Sequence, residues 1–216
     1  MSVLDRLLEL LYPTRCAFCH KLLDGGQKVC PACLRSLPYT PMAAQRQSFP
    51  HVEACVSPLY YEGNVRLSLH RYKFKSLTAY AEVYADFVAK CIDENGIICD
   101  SITWVPLSRR RLRRRGYDQA RLLAEALAKR LRLPCERTLV KKKDNPPQSR
   151  TGKAAARRAN VSGVYAPERG ADLTGKRLML VDDIVTTGAT LSEAAGVLRA
   201  AGASAVFAAT VARGKR

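Results

Sequence analysis

The stretch LMLVDDIVTTGAT, residues 178–190, constrains the fold of this 216-residue chain more than any other. Leu178 to Val181 form a continuous apolar run, the pattern of a strand buried on both faces of a parallel sheet. Polar groups can emerge only where such a strand ends, and Asp182 and Asp183 stand there. In open α/β sheets the crevice outside the carboxyl ends of the strands is where ligands bind. Gly188 lets the backbone turn closely around a ligand, and Thr186, Thr187, Ala189 and Thr190 lead into a helix. Helix N-terminal N–H groups joined by threonine hydroxyls make an anion site. Paired carboxylates suit the vicinal hydroxyls of a sugar. The stretch therefore predicts a strand–loop–helix cradle for ribose 5-phosphate, with Asp182 and Asp183 on the hydroxyls and Thr186–Thr190 around the phosphate. No Gly-Lys-Ser/Thr phosphate loop and no Rossmann fingerprint competes with that reading.

The rest of the chain alternates strand and helix patterns from about residue 52, as a helix-covered parallel sheet requires. ACVSPLYY reads as a strand interrupted in character by Pro58. Leu77, Tyr80, Tyr84, Phe87, Val88 and Cys91 mark a helix face, and ITWVPL is a buried strand. Ala120 to Leu131 form a helix opened near Asp118 and stopped before Pro134. LSEAAGVLRAAG is a helix ending at Gly202, and SAVFAATVA is the last strand. Between Thr138 and Tyr165 the periodicity fails in a polar, basic stretch that reads as a functional loop. At the other end, Leu4, Leu7, Leu8 and Leu11 fit a short amphipathic helix, too short and too charged for a membrane span. No signal-peptide pattern accompanies it, so a cytoplasmic protein is expected.

Cys16-x-x-Cys19 and Cys30-x-x-Cys33 present four sulfurs from two tight turns. Zn²⁺ takes four thiolates tetrahedrally, and in so small a segment the metal would replace a core. A redox CxxC is the alternative, which the second matched pair disfavours. With the shell closed the zinc would be structural, and His20 a bystander. Cys55, Cys91, Cys99 and Cys135 fit buried small side chains. Residues 1–50 are thus expected to be a zinc-binding module and linker, with 38–50 the linker proper, and residues 51–216 the α/β domain.

The chain carries 36 Lys+Arg against 19 Asp+Glu, a formal net charge of +17. Most of the excess is local: residues 104–160 hold 18 Lys/Arg and 4 Asp/Glu. The turn Pro106-Leu107-Ser108 follows the ITWVPL strand, which should lie beside the 178–181 strand, so it faces the same crevice. Arg109, Arg110, Arg111, Arg113, Arg114 and Arg115 come next. Six arginines exceed what a small phosphate ligand needs, and single-stranded nucleic acid fits the cluster, with Tyr117 the nearest aromatic.

The 178–190 motif resembles the signature of type I phosphoribosyltransferases, which bind phosphoribosyl pyrophosphate (PRPP), and the Pro106-Leu107-Ser108 turn resembles that family's pyrophosphate loop. Taken with Pro13 and the cysteine pairs, Tyr72-Lys73-Phe74, Val105-Pro106-Leu107, Arg115-Gly116-Tyr117-Asp118-Gln119-Ala120 and Gln148…Arg157-x-x-Asn160-Val161, nearly the whole chain resembles the ComF family. Tyr117-Asp118 stands where that family usually has Phe-Asn. The resemblance implies a zinc-ribbon-like module before a phosphoribosyltransferase-like sheet flanked by helices. It also implies a part in DNA uptake during natural transformation, beside a ComF-type helicase partner. Mg²⁺ is expected with PRPP. Two functions follow: a module that binds PRPP and single-stranded DNA, or a working transferase passing ribose 5-phosphate to an unidentified acceptor. In the second, Lys73, Lys153 or Arg157 would stabilise the departing charge. No acceptor element or catalytic base can be nominated, so binding is the preferred expectation. A regulator that kept the fold is a third reading, without a helix-turn-helix to support it.

Overall fold

A computed structural model describes residues 13–24, 26–143 and 163–215. The N-terminal leucine helix, Lys153, Arg157 and most of the basic loop lie outside the described residues. Among the described residues, no helix is long and apolar enough to cross a membrane.

At the centre lie two nine-residue strands, β7 (Arg177–Val185) and β8 (Ala205–Arg213), paired in parallel. Side chains alternate across β7 although the sequence does not alternate in polarity. Met179 and Val181 enter one apolar cluster, and Leu178 and Leu180 enter the other. Both faces are covered, which is why the run is apolar throughout. On one side β7 pairs with β4 (Ser101–Trp104), in parallel as expected. On the far side of β8 lie β2 (Val52–Val56) and β3 (Leu59–Tyr60), both parallel to it. The break between them falls at Ser57-Pro58, since proline cannot donate to a ladder.

The sheet is mixed because of its edge. After a first short helix α1 (Pro31–Ser36), residues 38–50, expected as a linker, contain a short helix α2 (Met42–Gln45) and strand β1 (Arg46–Phe49), which pairs antiparallel with β2. The prolines at either end of this stretch suggested a linker; they flank a hairpin arm that covers the sheet edge, a common way to blunt exposed ladder groups. Beyond the 38–50 stretch and among the described residues, the strands and helices that the sequence predicts lie where it places them, and a further helix over residues 63–74 is added to them.

Helices α4 (Tyr80–Glu94) and α6 (Gln119–Leu131) pack together on one face, with α7 (Ala189–Ala200) on the other. Asp118 caps α6, its carboxylate accepting from Ala120 and Arg121 N–H. Sequence periodicity does not disclose α3 (Gly63–Phe74). Its buried positions, Val65, Ser68, Leu69 and Tyr72, include a serine, and large apolar residues stand on its solvent side, so the two faces are not distinguished by polarity. Strands β5 (Leu139–Lys141) and β6 (Tyr165–Pro167) form an antiparallel ribbon at the stem of the basic loop.

Candidate functional site: a ligand cradle and a cysteine cluster

Strand β4 accompanies β7 only as far as Val181, whereas β8 accompanies it to Val185. Among the described residues, the last four of β7 therefore have one unpaired edge, and Asp182 and Asp183 lie on it. Being consecutive in a strand, they point to opposite faces. Asp183 is buried, and its Oδ2 lies 2.6 Å from Lys73 Nζ at the end of α3. Asp182 is half-buried and accepts the Asp183 N–H at 2.8 Å. Desolvation, then the neighbouring Asp183 charge, raise the Asp182 carboxyl well above the usual carboxylate range, against the Asp183 N–H and Lys73, which lower it. The pair is thus electrostatically loaded: Asp183 has a cation at contact distance, and Asp182 has a backbone N–H.

The strand ends and the chain turns through Thr186 and Thr187 to Gly188, whose φ is +77°. Ala189 N–H donates to Thr187 Oγ1 at 3.4 Å, and Ser192 N–H to the Gly188 carbonyl at 2.8 Å marks the first helical turn of α7. The positive end of the α7 dipole therefore opens at Thr187–Thr190. Gly188 is required twice over. A side chain there would be strained by its φ, and a Cβ would stand 2.2 Å from the Phe49 ring. Phe49 comes from β1, so the edge hairpin packs onto the turn, and His51 packs likewise against Gly196 of α7.

The 105–108 turn is held beside these groups. Val105 N–H bonds the Val181 carbonyl at 3.0 Å, and Leu107 N–H donates to Asp118 Oδ2 at 2.9 Å. Asp118 thus fixes the loop with one oxygen and caps α6 with the other. Its place in the sequence marks it as a helix opener; the hold on Leu107 is a second task. Burial raises its carboxyl pKa despite the three N–H donors. Ser108 Oγ accepts from Arg111 N–H at 3.3 Å and opens helix α5 (Arg109–Arg115).

The arginine cluster divides. Arg109, Arg110, Arg113 and Arg114 are exposed, while Arg111 and Arg115, one turn apart, face inward and are half-buried. Arg115 donates to the Gln119 side chain and lies over the Phe74 ring, 5.1 Å from its centroid. Two segments quoted on resemblance alone are thereby joined. Tyr72 hydroxyl donates to the Gln119 carbonyl at 2.7 Å, and Tyr117 hydroxyl donates to the Tyr72 carbonyl. Tyr117 is thus committed to holding α3. The structure brings Lys73, Asp182, Asp183, the 105–108 turn and Arg115 to one end of the sheet.

The sulfurs of Cys16, Cys19, Cys30 and Cys33 all lie within 4.8 Å of one another, with Cys19 to Cys30 at 3.7 Å. A Zn²⁺ tetrahedron with bonds of about 2.3 Å puts its sulfurs about 3.8 Å apart, so the set fits that ion. Burial raises the Cys16 thiol, but N–H donors from Cys30, Cys19 and Phe18 outweigh it and leave it at about 6. Burial and the neighbouring thiols push Cys33 the other way. Four thiols this close cannot all ionise unaided; a dication permits it. With its shell closed, such an ion would serve structure. Among the described residues this is the only His/Cys/Asp/Glu group suited to a metal.

The cysteine module shares its core with the sheet domain. Phe18 is 0% exposed and meets Phe87 edge-on at 5.6 Å and Tyr84 at 6.1 Å. Ser68 Oγ donates to the Ala17 carbonyl, Arg71 to that of Phe18, and His20 Nδ1 lies 3.0 Å from Tyr80 hydroxyl. His20 is therefore a docking contact. Cys55, Cys91 and Cys99 are buried as expected, and Cys135 is partly so.

Fold and site together define a phosphoribosyltransferase-type domain carrying a zinc ribbon. Residues 118–216 match the phosphoribosyl transferase domain family, and residues 7–56 match the double zinc ribbon domain. The chain is 28% identical over 200 residues to the DNA utilization protein YhgH of Escherichia coli O157:H7, covering 88% of this chain and 86% of that protein. It is 36% identical over 104 residues to competence protein F of Haemophilus influenzae, covering 48% and 45%. It is 28% identical over 149 residues to competence protein ComFC of Bacillus subtilis, covering 67% and 58%. The chain is thus similar to proteins named competence protein F, ComFC and YhgH, and carries a phosphoribosyl transferase domain after a double zinc ribbon.

Proposed function

We propose that this protein binds PRPP in the 182–190 cradle and single-stranded DNA on the adjoining basic surface, in a cytoplasmic DNA-handling step. The names of its relatives, DNA utilization and competence proteins, support that setting. A helicase partner belongs to the same reading.

One observation carries the proposal. A buried carboxylate, Asp183, sits at the open end of the central strand with a lysine from a separate helix at 2.6 Å. Burying charge there costs stability that a fold need not spend, which marks the position as a site for use. Ribose hydroxyls would take over the carboxylate oxygens, the 5-phosphate would sit at the α7 N-terminus, and the freed Lys73 would face the pyrophosphate. The exposed arginines Arg109, Arg110, Arg113 and Arg114 would follow a DNA backbone.

Turnover is the second reading, favoured by the fixing of the 105–108 turn through Asp118, as a leaving-group site requires. Incubation with PRPP, Mg²⁺ and a panel of bases separates the two readings: the binding module releases no pyrophosphate, and release with one base would establish the transferase. For DNA, replacing the four exposed arginines with glutamine should weaken oligo-dT binding. It should also flatten the log-affinity against log-salt slope by about 0.7 per lost phosphate contact. An unchanged slope would remove helix α5 from the interface.

A further inference from the structure

The exposed side of α3 carries two large apolar residues where a soluble helix is usually polar. Leu67 and Phe74 are each 55% exposed, and His70 lies between them at helical spacing. The His70 and Phe74 rings stand 4.8 Å apart, and the Arg115 guanidinium lies over Phe74 at 5.1 Å. Arg115 is held there by Gln119, and Asp183 is the leading charge acting on it. Leu112, on the arginine helix itself, is 41% exposed. An aromatic ring is thus presented to solvent at the join between the basic helix and the ribose acids, with its orientation fixed by a cation and a second ring. Burying Phe74 is not needed for the fold; α3 is already anchored by Tyr72, Leu69 and Val65, which are fully buried.

We infer that Phe74, framed by His70 and Arg115, is a stacking platform for a base of single-stranded DNA. The strand's phosphates would lie on Arg109, Arg110, Arg113 and Arg114. The inference rests on the single-stranded DNA reading above and assigns the contact that reading lacked. Tyr117, the one aromatic the sequence suggested, has its hydroxyl committed to Tyr72. Every base has a π-face, so a platform of this kind tolerates any sequence and discriminates against duplex DNA, whose bases are already stacked. Charge alone would not discriminate in that way. Phe74 follows Lys73 directly, and Lys73 is the partner of Asp183. A base on the platform and a ribose on the acids would therefore touch neighbouring residues of one helix end.

The test compares two oligonucleotides on the full-length, zinc-loaded chain: oligo-dT and an abasic strand of equal length, by fluorescence anisotropy at fixed salt. Phe74→Ala should weaken oligo-dT binding about tenfold and leave the abasic strand unchanged. Phe74→Trp should restore the affinity, and the emission of that variant should be quenched by oligo-dT and not by the abasic strand. Trp104, the native tryptophan, is buried and supplies a constant background. Equal affinity of wild type and Phe74→Ala for oligo-dT, with the emission of the Phe74→Trp variant unquenched, would overturn the platform while leaving the arginine surface intact. Failure of the wild type to bind either strand would instead remove the single-stranded DNA reading, and the platform with it.

Discussion

Asp182 shows how much of this site is a matter of single groups. Its carboxyl is raised by desolvation and by the Asp183 charge. A carboxyl raised on folding lends stability below the unfolded-state carboxylate pKa and loses it as pH rises through the folded value. Asp182→Asn should therefore stabilise the ligand-free protein by about 1 kcal/mol at pH 8, roughly 2–4 °C in Tm. The gain should shrink toward zero near pH 4. Thermal melts across that range check it, and a loss of stability at pH 8 would contradict the assigned electrostatics. Gly188→Ala acts on the backbone instead. The left-handed φ and the Phe49 ring should together cost about 1–2 kcal/mol in chemical denaturation, with loss of phosphate binding. At this scale the need for glycine at position 188 and the placing of both acids at the strand's end are legible in the sequence. What it hides is partnership. Lys73 meets Asp183, and Asp118 holds Leu107, across 110 and 11 residues of chain, and no local pattern records either pairing.

Elements differ in how openly their sequences declare them. Strands β4, β7 and β8 are plain because burial on both faces forces continuous apolar runs, and α6 and α7 carry clear stripes and caps. Helix α3 does not declare itself, since Leu67 and Phe74 face solvent while Ser68 is buried. Strand β1 is hidden among polar residues, Arg46, Gln47 and Ser48, because an edge strand need not be apolar. The cysteine knuckles are legible as a metal site, but their docking onto α3 and α4 is not. That docking has a consequence for unfolding. Phe18 belongs to the same core as Tyr84 and Val88. Removing the metal with a chelator should lower the stability of the sheet domain as well as the ribbon, in one transition. Phe18→Ala should cost about 3–5 kcal/mol and reproduce the effect with the cysteines intact. Two separate transitions, with the sheet domain's midpoint unmoved, would show the ribbon to be an independent appendage.

Over the whole molecule, charge and topology converge on one end of the sheet. Parallel strands deliver Asp182, Asp183 and the 105–108 turn to the same edge. The sequence stretch with the greatest excess of basic residues begins immediately after that turn. The hairpin arm covers α7 from one side, and α3 closes from the other with Lys73, so three sequence regions that share no motif frame one crevice. That crevice is the proposed seat of PRPP, and everything else in the functional reading depends on it. Isothermal titration with PRPP and Mg²⁺, on the wild type and on Asp182→Asn/Asp183→Asn, tests the assignment most directly. Saturable one-site binding to the wild type, lost in the folded double variant, is the predicted result. Equal binding by the two proteins, or none by the wild type, would contradict it.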